Sequence, residues 1–251
     1  LGGVSATIRQ SRGTSPILTA PLFAVWPVST CGSGLALPCS GDTLTAVTMQ
    51  IPFELFPNEP GDGIFGGSEA VLTVAQDGRP SGEFRVRPVV DQVHVLNTCD
   101  DALPFDFRGD PACRPIVAHA NGALVTESDP AAPGEVLVLY AFGLGAAGSG
   151  AASGEPAPPP APDSPVGTRV RLRFDFSPNA SPSRVVDPEA ADTRPLFSGL
   201  VQGFVGLYQV NFRGPAAPAD LMPCTGAVRS NLTVGVSGAA SFDGAALCVR
   251  P

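Results

Sequence analysis

Residues 169 to 176 read RVRLRFDF, an unbroken alternation of apolar and charged side chains. A period of two puts Val170, Leu172, Phe174 and Phe176 on one side and Arg169, Arg171, Arg173 and Asp175 on the other. That is the pattern of a strand with a buried face and a solvated face. Val4, Ala6 and Ile8 alternate in the same way with Ser5, Thr7 and Arg9, and Phe84 and Val86 with Arg85 and Arg87. Asp77-Gly78 and Asn121-Gly122 supply hairpin-turn signals between such runs. Amphipathic helical periodicity nowhere extends beyond about two turns. With 29 Gly and 28 Pro in 251 residues, long helices are disfavoured and an all-β fold is expected.

The chain also resembles itself. Pro21-Leu22-Phe23 recurs as Pro195-Leu196-Phe197, and Gln50-Ile51-Pro52-Phe53 matches Gln209-Val210-Asn211-Phe212. A strand-like run precedes each copy, VSATI in the first and RVRLRF in the second. A last strand opening on serine follows each, Ser81 to Arg87 and Ser230 to Val236. A diverged tandem repeat accounts for these matches. It favours a structural role for Gln50 and Gln209, since a ligand pocket needs no duplication. The second copy has a strand-like stretch, Gly134 to Gly145, ahead of RVRLRF, whereas the first copy begins at Leu1 with the equivalent of RVRLRF. The first copy therefore lacks an opening strand. Residues upstream of the chain, another segment of it, or a neighbouring subunit could supply one.

Composition removes several function classes. All fifteen basic residues are arginine, which excludes a Schiff-base or phosphate-loop lysine. A net charge of -8 offers no basic patch for nucleic acid or anionic lipid, so neither partner is expected. No apolar run nears the roughly 20 residues of a membrane span, and no membrane insertion is expected. The six cysteines form three sequence-local pairs, Cys31 with Cys39, Cys99 with Cys113 and Cys224 with Cys248, without a Cys-x-x-Cys motif. Disulfides fit better than zinc, although six cysteines allow about fifteen pairings. They imply an oxidising compartment, and a start at Leu1 fits a product that has lost a signal peptide. Secretion or surface display is expected.

The motifs that carry chemistry are weak. Gly143-Leu-Gly-Ala-Ala-Gly148 has dinucleotide-site spacing, but Ser-Gly-Ala-Ala-Ser-Gly follows where a phosphate-binding helix should begin. The glycines read as a strand end or bulge. His94 and His119 each read as sheet residues beside a turn. Asp100, Asp101, Asp106 and Asp110 read as a solvated acidic loop before a calcium site. Asn179 and Asn231 lie in glycosylation sequons. No catalytic residue, cofactor or metal site is assigned, and the chain is not expected to be an enzyme.

APGEVLVLYAFGLGAAG from Ala132, LFSGLVQGFVGLYQVNFRGP from Leu196 and SNLTVGV from Ser230 resemble an uncharacterised family of immunoglobulin-like β-sandwich domains. Its members sit at the C-termini of secreted acidobacterial (Solibacter-type) proteins. The resemblance covers about residues 116 to 237, and more weakly LGGVSATI, APLF and MQIPF of the first half. It implies an extracellular setting and an immunoglobulin-like fold, and brings no catalytic residues. The expected organisation is two tandem sandwiches: 1 to 95, a connector over 96 to 133, and 134 to 251 with a Pro/Gly-rich loop at 148 to 165. The expected function is a non-catalytic structural module of a cell-surface or filament-like assembly, self-associating by strand complementation. The alternative is an adhesive or carbohydrate-binding module, with Trp26 in a loop as its only aromatic platform for a glycan.

Overall fold

Val4, Ala6, Ile8 and Gln10 are buried while Ser5 and Arg9 are exposed, so the first alternating run forms a strand as its period requires. The computed structural model describes residues 2–10, 16–29, 40–41, 43–55, 69–89, 92–100, 114–145, 150–159, 170–174, 194–216, 232–236 and 242–250. Among them the chain is all-β, with no helix and with antiparallel pairing throughout its ladders. It divides into two compact units, Leu1–Pro88 and Val89–Pro251. The division lies earlier than the expected 95, because His94 and Val95 already pair within the second unit.

The first unit contains β1 (Val4–Gln10), β2 (Leu18–Thr19), β3 (Leu22–Ser29), β4 (Thr43–Met49), β5 (Ala70–Gln76) and β6 (Arg79–Val86). One sheet has the order β2-β1-β5-β6, and β3 with β4 forms a separate two-stranded ribbon. Asp77 and Gly78 both have positive φ, 50° and 76°, which is the turn that matches the twist of a hairpin. Ile8, Leu55 and Ala70 form the small core, with Leu18, Leu72 and Val86 against it. Phe84 departs from expectation: β6 is the sheet's outer strand, and this ring is 52% exposed.

The second unit contains β7 (His94–Val95), β8 (Val117–His119), β9 (Val136–Phe142), β10 (Val170–Phe174), β11 (Phe197–Leu200), β12 (Tyr208–Arg213), β13 (Leu232–Val236) and β14 (Phe242–Ala245). One sheet runs β11-β12-β9, with β7 and β8 both along the far edge of β9. The other runs β10-β13-β14. Leu137, Leu139, Ala141, Tyr208, Val210 and Phe212 are at most 1% exposed, and Phe212 meets Phe174 of the opposite sheet at 6.0 Å between ring centroids. Their burial stabilises the unit, since a fully buried Val, Leu or Phe side chain contributes about 1.5–3 kcal/mol. Arg171 departs from the expected solvated face. It is 7% exposed, and its guanidinium donates to the Val170 carbonyl at 2.8 Å.

β7 and β8 are halves of one edge strand. Leu96 donates to the Tyr140 carbonyl and Val117 pairs with Leu139, so the register along β9 skips no residue. Between them the chain leaves through a short neck, in which Asn97 pairs with Pro115 and Thr98 donates to the Arg114 carbonyl. The stretch expected as a connector, 96 to 133, thus contributes β8, while β7 comes from the end of the stretch expected as the first sandwich.

Strands matched by sequence do not all hold the same places in their sheets. β13 is central, flanked by β10 and β14, as β5 is flanked by β1 and β6. The Ser230 strand, β13, thus holds a place in its sheet like that of β5, whereas the Ser81 strand, β6, lies at the end of its sheet. Nor do the two glutamines coincide: Gln209 pairs with Tyr140 and Gly199 inside β12, whereas Gln50 follows β4 and donates its backbone N–H to Pro21.

Candidate functional site

A strand in the middle of a sheet has both rows of backbone groups paired, and β12 meets that condition, with β11 on one side and β9 on the other. β4 of the first unit does not meet that condition. Among the described residues it pairs with β3 alone, from Leu22 opposite Met49 to Ser29 opposite Thr43. No side chain in β3 or β4 is buried. An isolated two-stranded ribbon is marginal in water, because its N–H and C=O groups remain hydrated and its apolar side chains find too few neighbours. Phe23 and Leu44, 36% and 39% exposed, display that deficit. The arrangement can add a strand.

Trp26 lies inside β3, opposite Ala46, rather than in the expected loop. Its ring is only partly exposed, since β-pairing holds it on the ribbon. Of the six cysteines, Cys99 and Cys248 fall among the described residues and carry no free thiol. Cys31, Cys39, Cys113 and Cys224 lie outside them, as do Asn179, Asn231, Asp101, Asp106 and Asp110.

Gly143 and Gly145 end β9 with positive φ, 72° and 96°. A Cβ on Gly143 would stand 1.8 Å from the Gln92 carbonyl oxygen, so the glycine admits the close passage of the edge segment. Gln92 donates in turn to the Gly143 carbonyl at 2.8 Å. Tyr208, buried in β12, donates its hydroxyl to the Gly145 carbonyl, and burial pushes its phenol well above the usual range. These glycines finish a strand and hold a neighbouring segment, without a helix behind them among the described residues.

Both histidines sit between acceptors. His119, 8% exposed, places Nδ1 2.6 Å from Glu135 Oε1 and Nε2 3.2 Å from the Asp129 carbonyl. Pro133-Gly134 makes the turn that brings Glu135 there: Gly134 has φ 74°, and Glu135 Oε2 accepts the Ala132 N–H at 2.9 Å. Burial lowers the His119 pKa, but Glu135, the Asp129 carbonyl and the Asp129 carboxylate outweigh it and leave a net rise. Glu135 is held below its ordinary value, first by the Ala132 N–H and then by His119. A recess of about 390 Å³ beside this pair is lined by Asn121, Asp129 and Arg250. With both ring nitrogens already engaged and no hydroxyl or thiol in the lining, it offers no activated nucleophile.

His94 is the second case. Nε2 is 3.0 Å from Asp100 Oδ2 and Nδ1 is 3.4 Å from Asp243 Oδ2. Both carboxylates also accept backbone N–H groups, Asp100 from Asn97 at 2.6 Å and Asp243 from Val95 at 2.8 Å. Among the described residues, no group of three His, Cys, Asp or Glu could hold a metal ion.

No protein-family model matches the chain, and no curated protein matches it either.

Proposed function

We propose that the chain is a non-catalytic extracellular structural protein, a module or subunit of a cell-surface or filament-like assembly, whose first unit is completed by a strand from a neighbouring subunit. The observation that carries this reading is the contrast between β12, paired on both sides, and β4, paired on one among the described residues. The fold reading beneath it is two tandem immunoglobulin-like sandwiches. In the second unit the orders β11-β12-β9-β7/β8 and β10-β13-β14 match the DEBA and CFG sheets of a constant-type domain, which supports that reading. In the first, β1, β5 and β6 correspond to C, F and G, and β3 and β4 to D and E. Strands A and B have no counterpart among the described residues. An incoming B-type strand would run antiparallel to β4, as β9 does to β12, with apolar side chains at alternate positions.

The neck of the edge-strand excursion favours a disulfide between Cys99 and Cys113. Thr98 and Arg114 are ladder partners, and the next residues outward in sequence are those two cysteines. An extracellular setting goes with such a bridge.

The test is the mass and shape of the native material, by light scattering and electron microscopy on one sample. A regular polymer whose contacts include β4 is the expected result. A compact particle of 25.5 kDa with an unfilled β4 edge would overturn it. The alternative, a glycan-binding or adhesive module, needs Trp26 as its platform; glycan binding that a Trp26→Ala variant abolishes would favour it.

A further inference from the structure

We propose that His94 is a proton-gated clasp that holds the split edge strand of the second unit to the opposite sheet. A neutral imidazole has one N–H and one lone pair, so it can satisfy one carboxylate and must point its lone pair at the other. His94 faces a carboxylate oxygen from each nitrogen, Asp100 at Nε2 and Asp243 at Nδ1. Only the imidazolium donates to both.

The three groups belong to three different segments. His94 is in β7, whose ladder to β9 is only two pairs long, His94 with Phe142 and Val95 with Ala141. Asp100 stands at the neck of the excursion that interrupts the edge strand. Asp243 is in β14 of the other sheet. Its Oδ2 also accepts the Val95 N–H at 2.8 Å, the backbone donor of β7 that does not need β9 to be satisfied, and its Oδ1 accepts the Gly244 N–H at 2.8 Å. So short a strand is held as much by these side chains as by its ladder. Loss of the proton turns one of the two contacts from attraction to lone-pair repulsion and loosens the hold among β7, the neck and β14, leaving only the backbone N–H bonds to Asp100 and Asp243 and one imidazole contact.

Among the described residues, the charged groups facing His94 from these elements are Asp100 and Asp243, both acidic. Pairing with Asp243 is the largest influence on the ring; it and Asp100 outweigh burial and raise its pKa above 6.5. The direction of the gate follows. A group whose folded pKa is raised supplies its stabilisation below the unfolded pKa and loses it as pH rises through the folded one. The clasp is therefore shut in mildly acidic surroundings and opens on the alkaline side.

Hydrogen exchange on the intact chain, corrected to protection factors, tests this from pH 5.5 to 8.5. Protection of residues 92–97 and 242–245 is expected to fall on the order of tenfold as pH rises, while that of β1 and β5 stays level. In His94→Gln the same segments should be poorly protected at every pH, and in His119→Gln the wild-type pH response should persist. A level wild-type profile, a His94→Gln variant that keeps the response, or a His119→Gln variant that loses it would each overturn the proposal. Should His94→Gln not fold, the His94 ring titration in the wild-type chain, followed by NMR, decides the matter. A midpoint above 6.5 that drops in Asp243→Asn supports the clasp, and a midpoint at or below 6.5 refutes it.

Discussion

Val210→Ala and Val47→Ala delete the same two methyl groups from the two strands, β12 and β4, that differ in pairing. Val210 is 0% exposed, with β9 and β11 on either side. Removing two carbons there forfeits about 0.8 kcal/mol each in transfer energy and leaves a cavity that flanking ladders prevent from closing, for a total of about 2–3 kcal/mol. Among the described residues Val47 pairs with Val25 alone, and it is partly exposed. It loses about half the transfer term and leaves no cavity, since its open side collapses or fills with water, for about 0.5–1 kcal/mol. Once an added strand covers the ribbon, Val47 becomes a central-strand residue and the cost should rise toward that of Val210. Urea unfolding measures both, with far-UV circular dichroism on the whole chain and the fluorescence of Trp26, the only tryptophan, reporting on the ribbon. An open β4 edge is ruled out if Val47→Ala costs the dispersed protein as much as Val210→Ala does, because the β4 face would then already be covered.

Three further expectations can be checked. Gly143→Ala should destabilise the second unit by about 3 kcal/mol or more and unseat residues 92–95, because its Cβ would enter the Gln92 carbonyl and φ is positive; calorimetry reads the loss and amide exchange its location. Cys99→Ser and Cys113→Ser should each cost roughly 3 kcal/mol, the entropy of closing a loop of about fifteen residues, and the double variant should cost no more than either, which peptide mapping and unfolding together decide. Stability should be greatest between about pH 4.5 and 6.5. Above that window the raised pKa values of His94 and His119 mean that stabilisation is lost as pH climbs, and below it the lowered pKa values of Asp243 and Glu135 mean that stabilisation is lost as pH falls; thermal midpoints across pH report both limbs.

What the sequence disclosed depended on the range of the interaction. The alternation in Val4 to Ile8 and the Asp77-Gly78 turn are local, fixed by the pleat and by positive φ, and they read directly. Arg171 sits at an equally regular alternating position, yet its burial is decided by what packs over the strand, which no period of two contains. The halves of the edge strand were hidden for a related reason: β7 is two residues long, β8 three, and each takes its conformation from β9 rather than from its own composition. His94 was visible as a residue but not as a site, because Val95 and Asp243 are 148 positions apart and only the closure of the two sheets brings their segments together. The His119 pair left a better trace, since Pro133-Gly134-Glu135 is a turn followed by an acid that must face inward.

The interrupted edge strand also bears on how such a chain can change. Leu96 and Val117 meet consecutive residues of β9, so the edge strand departs from β9 and rejoins it at one point. Residues added between Asp100 and Arg114 leave the register along β9 and the neck pairs as they are, and each doubling of that length adds only about 0.6 kcal/mol of closure entropy. The fold thus carries a built-in cloning site. New surface can be tried there by insertion and deletion while the scaffold around it stays in frame.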